Sequence, residues 1–118
     1  MQHYSYSISP EIFERYPGYV RGVVIAHGVT NGPSSAELVQ MMREAEESVR
    51  ARVDAEKVAE GPRIKSWREA YRAFGAKPAE FRSSVEAMAR RALRGDQLPS
   101  ISALVDLGNV MSLRHLLP

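Results

Sequence analysis

The sequence contains no cysteine, only three histidines and a single tryptophan among its 118 residues. The absence of cysteine excludes disulfide bonds, thiolate metal sites, iron–sulfur clusters and thiol nucleophiles. The three histidines are scattered along the chain, so we expect neither a metal site nor a cofactor. The first apolar run, residues 23–26, is too short to span a membrane, and no basic and apolar leader precedes it. These absences predict a soluble, cytoplasmic protein.

The residues that are present are typical of a globular protein. Hydrophobic residues make up 44% of the chain and charged residues 25%, which is close to the averages for folded domains. The length predicts a single domain over residues 1–118, or a piece of a larger one. Because the chain ends on apolar residues without a polar tail, we interpret Pro118 as a point of truncation.

Charge is distributed unevenly along the sequence. Residues 34–62 carry a net charge of −3, whereas residues 63–95 carry +6. Two oppositely charged elements that pack beside each other would explain this division. A basic surface for a polyanion such as a nucleic-acid backbone would explain it equally well.

Most of the chain has the apolar spacing of amphipathic helices. Ser9 and Pro10 are typical of a helix start, and Ser34 with Glu37 predicts a capping box at the start of a second helix. The predicted helices cover residues 10–16, 34–60, 63–74, 79–94 and a last segment that begins at residue 101.

One segment has the composition of a strand instead. Residues 19–27 are β-branched and mostly apolar, and a turn sequence follows them, which predicts a buried strand. A single strand is not stable alone, because its backbone N–H and C=O groups need partners. Either residues 1–8, with alternating Tyr4, Tyr6 and Ile8, supply the second strand, or it lies in missing sequence. We therefore expect an α+β fold, in which helices pack on a mixed β-sheet.

The basic stretch offers two groups of candidate binding residues. Trp67, Tyr71 and Phe74 have helical spacing beside Ile64, which favours a core face over a base-stacking platform. The arginines have forked donors that suit phosphate oxygens. The alternative is a solvated helix face on which Arg82, Glu86 and Arg90 point outward, and Glu86 lies four residues before Arg90 in the order that favours an ion pair. The candidate RNA-binding residues are Arg82, Arg90, Arg91 and Arg94.

The last segment mixes an apolar face with a polar one. The apolar residues that recur at helical intervals are Ile101, Leu104, Val105 and Met111. Ser102, Asp106 and Asn109 share the opposite face. Half-buried Asp and Asn side chains need hydrogen-bond partners, which either a ligand or a neighbouring helix or loop can supply.

Several spaced motifs resemble one known family. They are WREAYRAFGAKP over residues 67–78, RSSVE over 82–86, RR at 90–91, LPSI over 98–101, LVDLGN over 104–109, SL at 112–113 and LP at 117–118. Their order resembles the B-three/B-four domain of the β subunit of phenylalanyl-tRNA synthetase, particularly its free-standing bacterial and archaeal forms. The resemblance begins at about Phe13 and implies that residues 1–118 are the N-terminal part of such a domain.

The resemblance implies an editing role. In the synthetase this α+β domain hydrolyses tyrosine that is wrongly attached to the phenylalanine tRNA. The family's Val-Asp-x-x-Asn motif falls on Asp106 and Asn109, which implies that both residues line the amino-acid pocket. Gly108 stands where the synthetase usually has a threonine of that pocket, and the family's Pro-x-His histidine would fall after Pro118. The catalytic residues are therefore unknown, and aminoacylation is not expected.

We consider two possible functions. The first is an RNA-associated, editing-like domain in translation quality control, which binds tRNA or mischarged aminoacyl-tRNA. Whether this domain also acts as an aminoacyl-tRNA deacylase stays open. The alternative is a non-catalytic module that binds an amino acid, another small molecule or a protein. No membrane partner is expected, and homo-oligomerisation stays open.

Overall fold

The computed structural model describes residues 2–118 and contains helices only. In chain order the elements are α1 (Pro10–Arg15), α2 (Ala36–Arg52), a 3₁₀ turn (Val58–Glu60), α3 (Pro62–Ala73), α4 (Ser84–Leu93) and α5 (Ala103–His115). No strand occurs in these residues, so the fold is all-α, and the predicted α+β fold with a mixed sheet is wrong. None of the helices in this part of the chain has the length and apolarity needed to cross a bilayer.

The segment that was expected to be a buried strand has no regular secondary structure and is exposed after Tyr19. Within residues 19–27, Val20, Val24 and Ile25 expose 86%, 94% and 76% of their surface. Residues 2–8, the described part of the expected second strand, form no ladder with them. β-branched residues favour strands, but a strand also needs a second one to satisfy its backbone groups. The predicted buried strand is therefore wrong.

The core forms around α2, which packs on both α5 and α4. Met42, Ala45 and Val49 are its buried residues that contribute to the apolar core. Burying one such side chain completely stabilises a fold by about 1.5–3 kcal/mol. The remaining buried core residues are Val58, Ile64, Ala89, Ala92, Leu98, Val110 and Leu113.

Helix α2 is shorter than predicted at both ends. The hydroxyl of Ser35, and not that of Ser34, accepts the N–H of Leu38 at 3.1 Å and caps the helix. The helix ends at Arg52 because Val53 has extended backbone, and the 3₁₀ turn then places Val58 in the core. The predicted extension of this helix to residue 60 is therefore wrong.

The other predicted helices agree with the structure to different degrees. Helix α1 and helix α3 lie within a residue or two of the predicted ranges, and a proline stands in the first turn of each. Helix α4 begins five residues later than predicted, because Ser83 has the extended backbone of a cap and the residues before it form turns.

Helix α5 turns its polar face inward. The apolar residues Ile101, Leu104 and Met111 are 65%, 50% and 42% exposed, and Val105 is 42% exposed. Asp106 is instead fully buried, beside Val110 and Leu113. The hydrogen bonds available to this carboxylate determine which face turns inward, as described below.

The oppositely charged stretches do not pair with each other. The ion pairs of α2 lie within that helix and join Arg43 to Glu46 and Arg50 to Glu47. Among residues 2–118 no ion pair joins α2 to the basic stretch over residues 63–95. Helix α2 and helix α4 of the basic stretch do pack beside each other, as the first interpretation expects, but without an ion pair between them in this part of the chain.

Candidate functional site

Asp106 lies at the centre of a buried hydrogen-bond cluster. Its carboxylate accepts the hydroxyl proton of Ser100 at 2.6 Å, the backbone N–H of Ile101 at 2.9 Å and the hydroxyl proton of Ser34. The N–H of Ile101, followed by the two hydroxyls, holds the pKa of Asp106 below its ordinary value, and these bonds outweigh the opposing effect of burial. The cluster joins the segments before α2 and before α5 to helix α5 itself.

This geometry uses both oxygens of Asp106 for contacts within the chain. Asp106 is not among the residues that line the cavities described below. Of the two roles considered for its polar face, holding a neighbouring loop is the one that these contacts describe. A direct contact between Asp106 and a ligand stays a prediction that the geometry does not favour.

Ser102 caps helix α5 together with a residue from a distant loop. The Ser102 hydroxyl accepts the N–H of Val105 at 3.4 Å and the side-chain amide of Asn31 at 3.2 Å. The side-chain oxygen of Asn31 accepts the N–H of Leu104 at 3.0 Å. These bonds satisfy two of the N–H groups that the first turn of a helix leaves without a partner.

Asn109 is the predicted substrate-binding residue that lines a cavity. The cavity has a volume of about 370 Å³ and lies where α4 meets the C-terminal half of α5. Ser84, Ser112 and His115 also line it. Amide, hydroxyl and imidazole groups can bind a polar group by hydrogen bonds. No acidic side chain lines it, so an ammonium group would have no counter-charge there.

Three of the four predicted RNA-binding arginines meet at a second cavity, of about 220 Å³. Arg82 precedes α4, whereas Arg90 lies on its last turn and Arg94 follows it. Ala55, Val58 and Leu93 complete the lining. We call it the arginine cavity. The fourth arginine, Arg91, is exposed outside this cavity, and its Nε donates to the carbonyl oxygen of Gln97 at 3.3 Å.

A buried carboxylate holds one wall of the arginine cavity. Arg90 donates from Nε and Nη2 to Glu86 Oε1 at 3.1 and 2.9 Å, and Arg68 donates to the same oxygen at 2.7 Å. The predicted spacing of an ion pair between Glu86 and Arg90 is confirmed. The expectation that Glu86 points outward is wrong, because its side chain is fully buried.

The arrangement around Glu86 has an excess of positive charge. One carboxylate faces two guanidinium groups, while Arg82 and Arg94 line the adjacent cavity. Such a cluster of forked donors suits an oxyanion such as a phosphate. Across residues 2–118 no set of three or more potential metal-ligating side chains lies together.

Arg68 and Ser34 were not recognised as site residues from the sequence. Arg68 lies 18 residues from Glu86, and Ser34 lies 72 residues from Asp106. In the sequence Ser34 has the spacing of a helix cap and Arg68 that of an exposed helix face. No local pattern indicates either contact, because each depends on how the helices pack.

No protein-family model matches this chain, and neither a curated protein nor a solved structure matches it significantly.

Proposed function

We propose that this chain binds tRNA, with the arginine cavity on the phosphate backbone. The observation that carries the proposal is the convergence of Arg82, Arg90 and Arg94 on one cavity. Acidic side chains compensate only part of the charge there, because Glu86 is shared between Arg68 and Arg90 and Asp96 pairs with Arg94 at 3.5 Å. Contacts between arginine and phosphate supply affinity without recognising the base sequence of the nucleic acid. Such contacts suit a ligand that is recognised by its shape and charge.

The resemblance of residues 104–109 to an editing domain extends this proposal to aminoacyl-tRNA. Asn109 supports it, because it lines a cavity of about 370 Å³. Since no acidic side chain lines that cavity, the aminoacyl group would be held there by the amide of Asn109 and the hydroxyls of Ser84 and Ser112. Helix α4 contributes residues to both cavities, so an RNA backbone and its aminoacyl end would contact the same helix.

The salt dependence of tRNA binding tests the phosphate contacts. Each contact contributes about 0.7–0.9 to the slope of log K against log salt concentration. The double variant Arg82→Gln/Arg94→Gln should weaken binding and reduce that slope by about 1.5. Arg15→Gln/Arg72→Gln removes the same charge from exposed positions outside the cavity. Equal weakening by the two double variants would mean that overall charge alone drives binding, and the proposal would be rejected.

Deacylation of the phenylalanine tRNA that has been mischarged with tyrosine tests the editing role. If the chain hydrolyses the ester, tyrosine is released faster with protein than without it, and Asn109→Ala slows that release. Gln40→Ala, an exposed substitution on α2, is the control. Equal rates with and without protein would exclude deacylation, while the salt dependence above would still decide whether tRNA binds.

Protein binding is a second candidate function, which the outer face of α5 favours. Leu104, Leu107 and Met111 have helical spacing and are 50%, 44% and 42% exposed. A helix that is apolar on all sides is usually covered on all sides. The outer face carries no acid or arginine between Leu104 and Met111, so the same face of a second copy can pack against it without opposing like charges.

Sedimentation velocity over a range of concentrations tests this self-association. A dimer that forms through α5 should dissociate in Leu107→Glu, because a carboxylate would be buried without a partner. Ala87→Glu adds the same charge at an exposed position of α4 and should leave the dimer intact. A monomer at every concentration of the unmodified chain would reject this candidate.

A further inference from the structure

A cavity of about 480 Å³ lies between the N-terminal segment and α3, and neither proposed function uses it. Ile8, Tyr16 and Tyr19 line one side, and Trp67 of α3 and Phe74, which follows that helix, line the other. None of the residues that line this cavity is charged. We call it the aromatic cavity. Its volume lies within the range typical of small-molecule sites, which are also mostly apolar.

Aromatic contacts hold the two walls of the aromatic cavity together. The rings of Tyr19 and Trp67 meet edge to face, with centroids 6.4 Å apart and planes at 89°. Phe13 packs on Tyr19 with a centroid distance of 6.1 Å. The backbone N–H of Tyr19 donates to the carbonyl of Tyr16 at 2.9 Å, which closes the turn after α1. The turn therefore brings both tyrosines to the same side of the cavity.

One polar group of the aromatic cavity can accept a further hydrogen bond. The hydroxyl of Ser66, which lines the cavity, donates to the carbonyl of Arg63 at 3.1 Å and keeps its lone pairs free to accept. The hydroxyl oxygen of Tyr16 is buried away from the open space of the cavity and has no hydrogen-bond partner among residues 2–118. The site thus combines apolar walls with one accessible neutral hydroxyl.

We infer that the aromatic cavity binds a neutral, planar aromatic ring that carries a hydrogen-bonding group. Trp67, Tyr19 and Phe74 offer ring edges and faces for stacked or edge-to-face contacts. A neutral donor on the ligand would pair with the hydroxyl of Ser66. A carboxylate or an ammonium group is disfavoured, because no opposite charge lines the cavity to compensate for its loss of hydration.

Nuclear magnetic resonance can test this site directly, because Trp67 is the single tryptophan of the chain. Its indole N–H therefore gives one resolved signal. Benzamide, which is planar, aromatic and neutral, should shift that signal saturably, with a Kd of about 10 mM or tighter for a ligand of its size. Benzoate has the same ring with a charge, and cyclohexanecarboxamide has the same amide without planarity. Each should bind at least about fivefold more weakly.

Two outcomes with the unmodified chain would overturn the inference. The first is the absence of a saturable shift with benzamide. The second is equal binding of benzamide and either comparison compound. Both are measured without any substitution, so they do not depend on whether a variant folds.

Variants of the cavity wall identify the binding site. Ala70→Leu adds a side chain that fills the cavity from α3 and should weaken benzamide binding at least about tenfold. Ala73→Leu is the matched control, because Ala73 lies on the same helix but is exposed outside the cavity. Ser66→Ala should weaken binding about fivefold, which is the effect of losing one hydrogen bond. Unchanged binding in Ala70→Leu would place the ligand elsewhere and contradict the inference.

The same ring chemistry occurs in free aromatic compounds and in an unpaired base of an RNA. A single-stranded oligoadenylate distinguishes these sources. A shift of the Trp67 signal that Ala70→Leu abolishes would identify a nucleobase as the ligand. Benzamide binding without any effect of the oligoadenylate would identify a free aromatic compound. The arginine variants do not alter the aromatic cavity, so failure of the proposed RNA contacts and failure of this site remain distinguishable.

Discussion

At the scale of single residues, three buried carboxylates determine how the segments meet. Asp106, Glu86 and Glu46 are each at most 1% exposed. Glu46 Oε1 accepts the N–H of Leu98 at 2.9 Å and a proton from Arg43 at 2.5 Å. A buried carboxylate is tolerated only when such donors replace its hydration. Each of these three side chains therefore fixes the position of a segment that is remote in sequence.

Removal of the Asp106 carboxylate should destabilise the fold. Asp106→Ala leaves three donors without their acceptor, so we expect the free energy of unfolding to fall by about 3 kcal/mol. Asp106→Asn should lower the free energy of unfolding by less. Its amide oxygen can still accept a hydrogen bond, and the two serine hydroxyls can turn to accept from its N–H groups. Urea denaturation measures both changes. Glu44→Ala, at an exposed position of α2, should have little effect, and an equally small effect of Asp106→Ala would contradict the role assigned to this carboxylate.

The lowered pKa of Asp106 also predicts how stability depends on pH. The folded pKa lies below the ordinary value of 3.8, so the unfolded chain takes up the proton more readily. The contribution of Asp106 is therefore complete above the unfolded pKa and is lost as the pH falls through the folded pKa. Below about pH 4, the unmodified chain should lose stability more steeply than Asp106→Asn. Parallel curves for the two proteins would contradict this explanation.

At the scale of elements, the arginines of α2 stabilise the ends of the other core helices. Arg50 donates to the carbonyl of Ala92 at 2.9 Å, near the end of α4. Arg52 donates to the carbonyls of Leu113 and Arg114, each at 3.1 Å, near the end of α5. The last carbonyls of a helix lack partners within it and form its negative end, so a guanidinium group is well suited to them.

Loss of the Arg52 guanidinium should weaken the end of α5. Arg52→Gln should lower the free energy of unfolding by about 1 kcal/mol, since the side chain is exposed and solvent replaces part of the interaction. In a chain of this size that corresponds to a fall of about 4 °C in Tm. Arg63→Gln removes an equal charge at an exposed position of α3 and should leave Tm nearly unchanged. The same Tm for both variants would contradict a capping role for Arg52.

The sequence predicted which segments are helical better than it predicted how they are oriented. Local signals such as Pro10 and Pro62 in a first turn are independent of the rest of the fold. The inward face of α5 depends on Ser34 and Ser100, which the folded chain brings to Asp106. Apolar spacing alone does not determine the inward face, because α5 is apolar on both sides and only tertiary hydrogen bonds distinguish them.

At the scale of the whole molecule, the chain is flatter and less compact than its length predicts. Its principal extents are 47, 40 and 20 Å, and its radius of gyration is 16.2 Å, compared with about 13 Å for a compact domain of this length. Residues 20–30 are exposed and contain no helix or strand. The buried core lies within residues 42–113, while the N-terminal quarter of the chain packs mainly through its aromatic residues.

Limited digestion with trypsin should cut first after Arg21. This is the only lysine or arginine in residues 20–30, and proteases act first on exposed backbone without regular hydrogen bonds. The helical remainder should persist as a large fragment in mass spectrometry. Arg21→Gln should remove the early cleavage. An earlier cut within α2 or α4 would contradict the described exposure of this segment.

The aromatic residues could not be assigned from their spacing, again because their environment is set by the whole molecule. Ile64 is buried as expected, but Phe74 is 50% exposed and Trp67 is half-buried. Helical spacing predicted one shared face on α3. It did not predict that the N-terminal segment, and not the main core, would cover that face through Tyr19.

The hydrogen bonds of Asn31 have a practical consequence for protein engineering. Asn31 secures one end of the exposed stretch to the start of α5, and the contact of Tyr19 with Trp67 secures the other end. Doubling the length of such a tethered loop adds only about 0.6 kcal/mol of closure entropy. A peptide epitope or a fluorophore-labelling tag spliced in at Gly28, whose surroundings are open, would therefore report on the protein while the helices keep their arrangement.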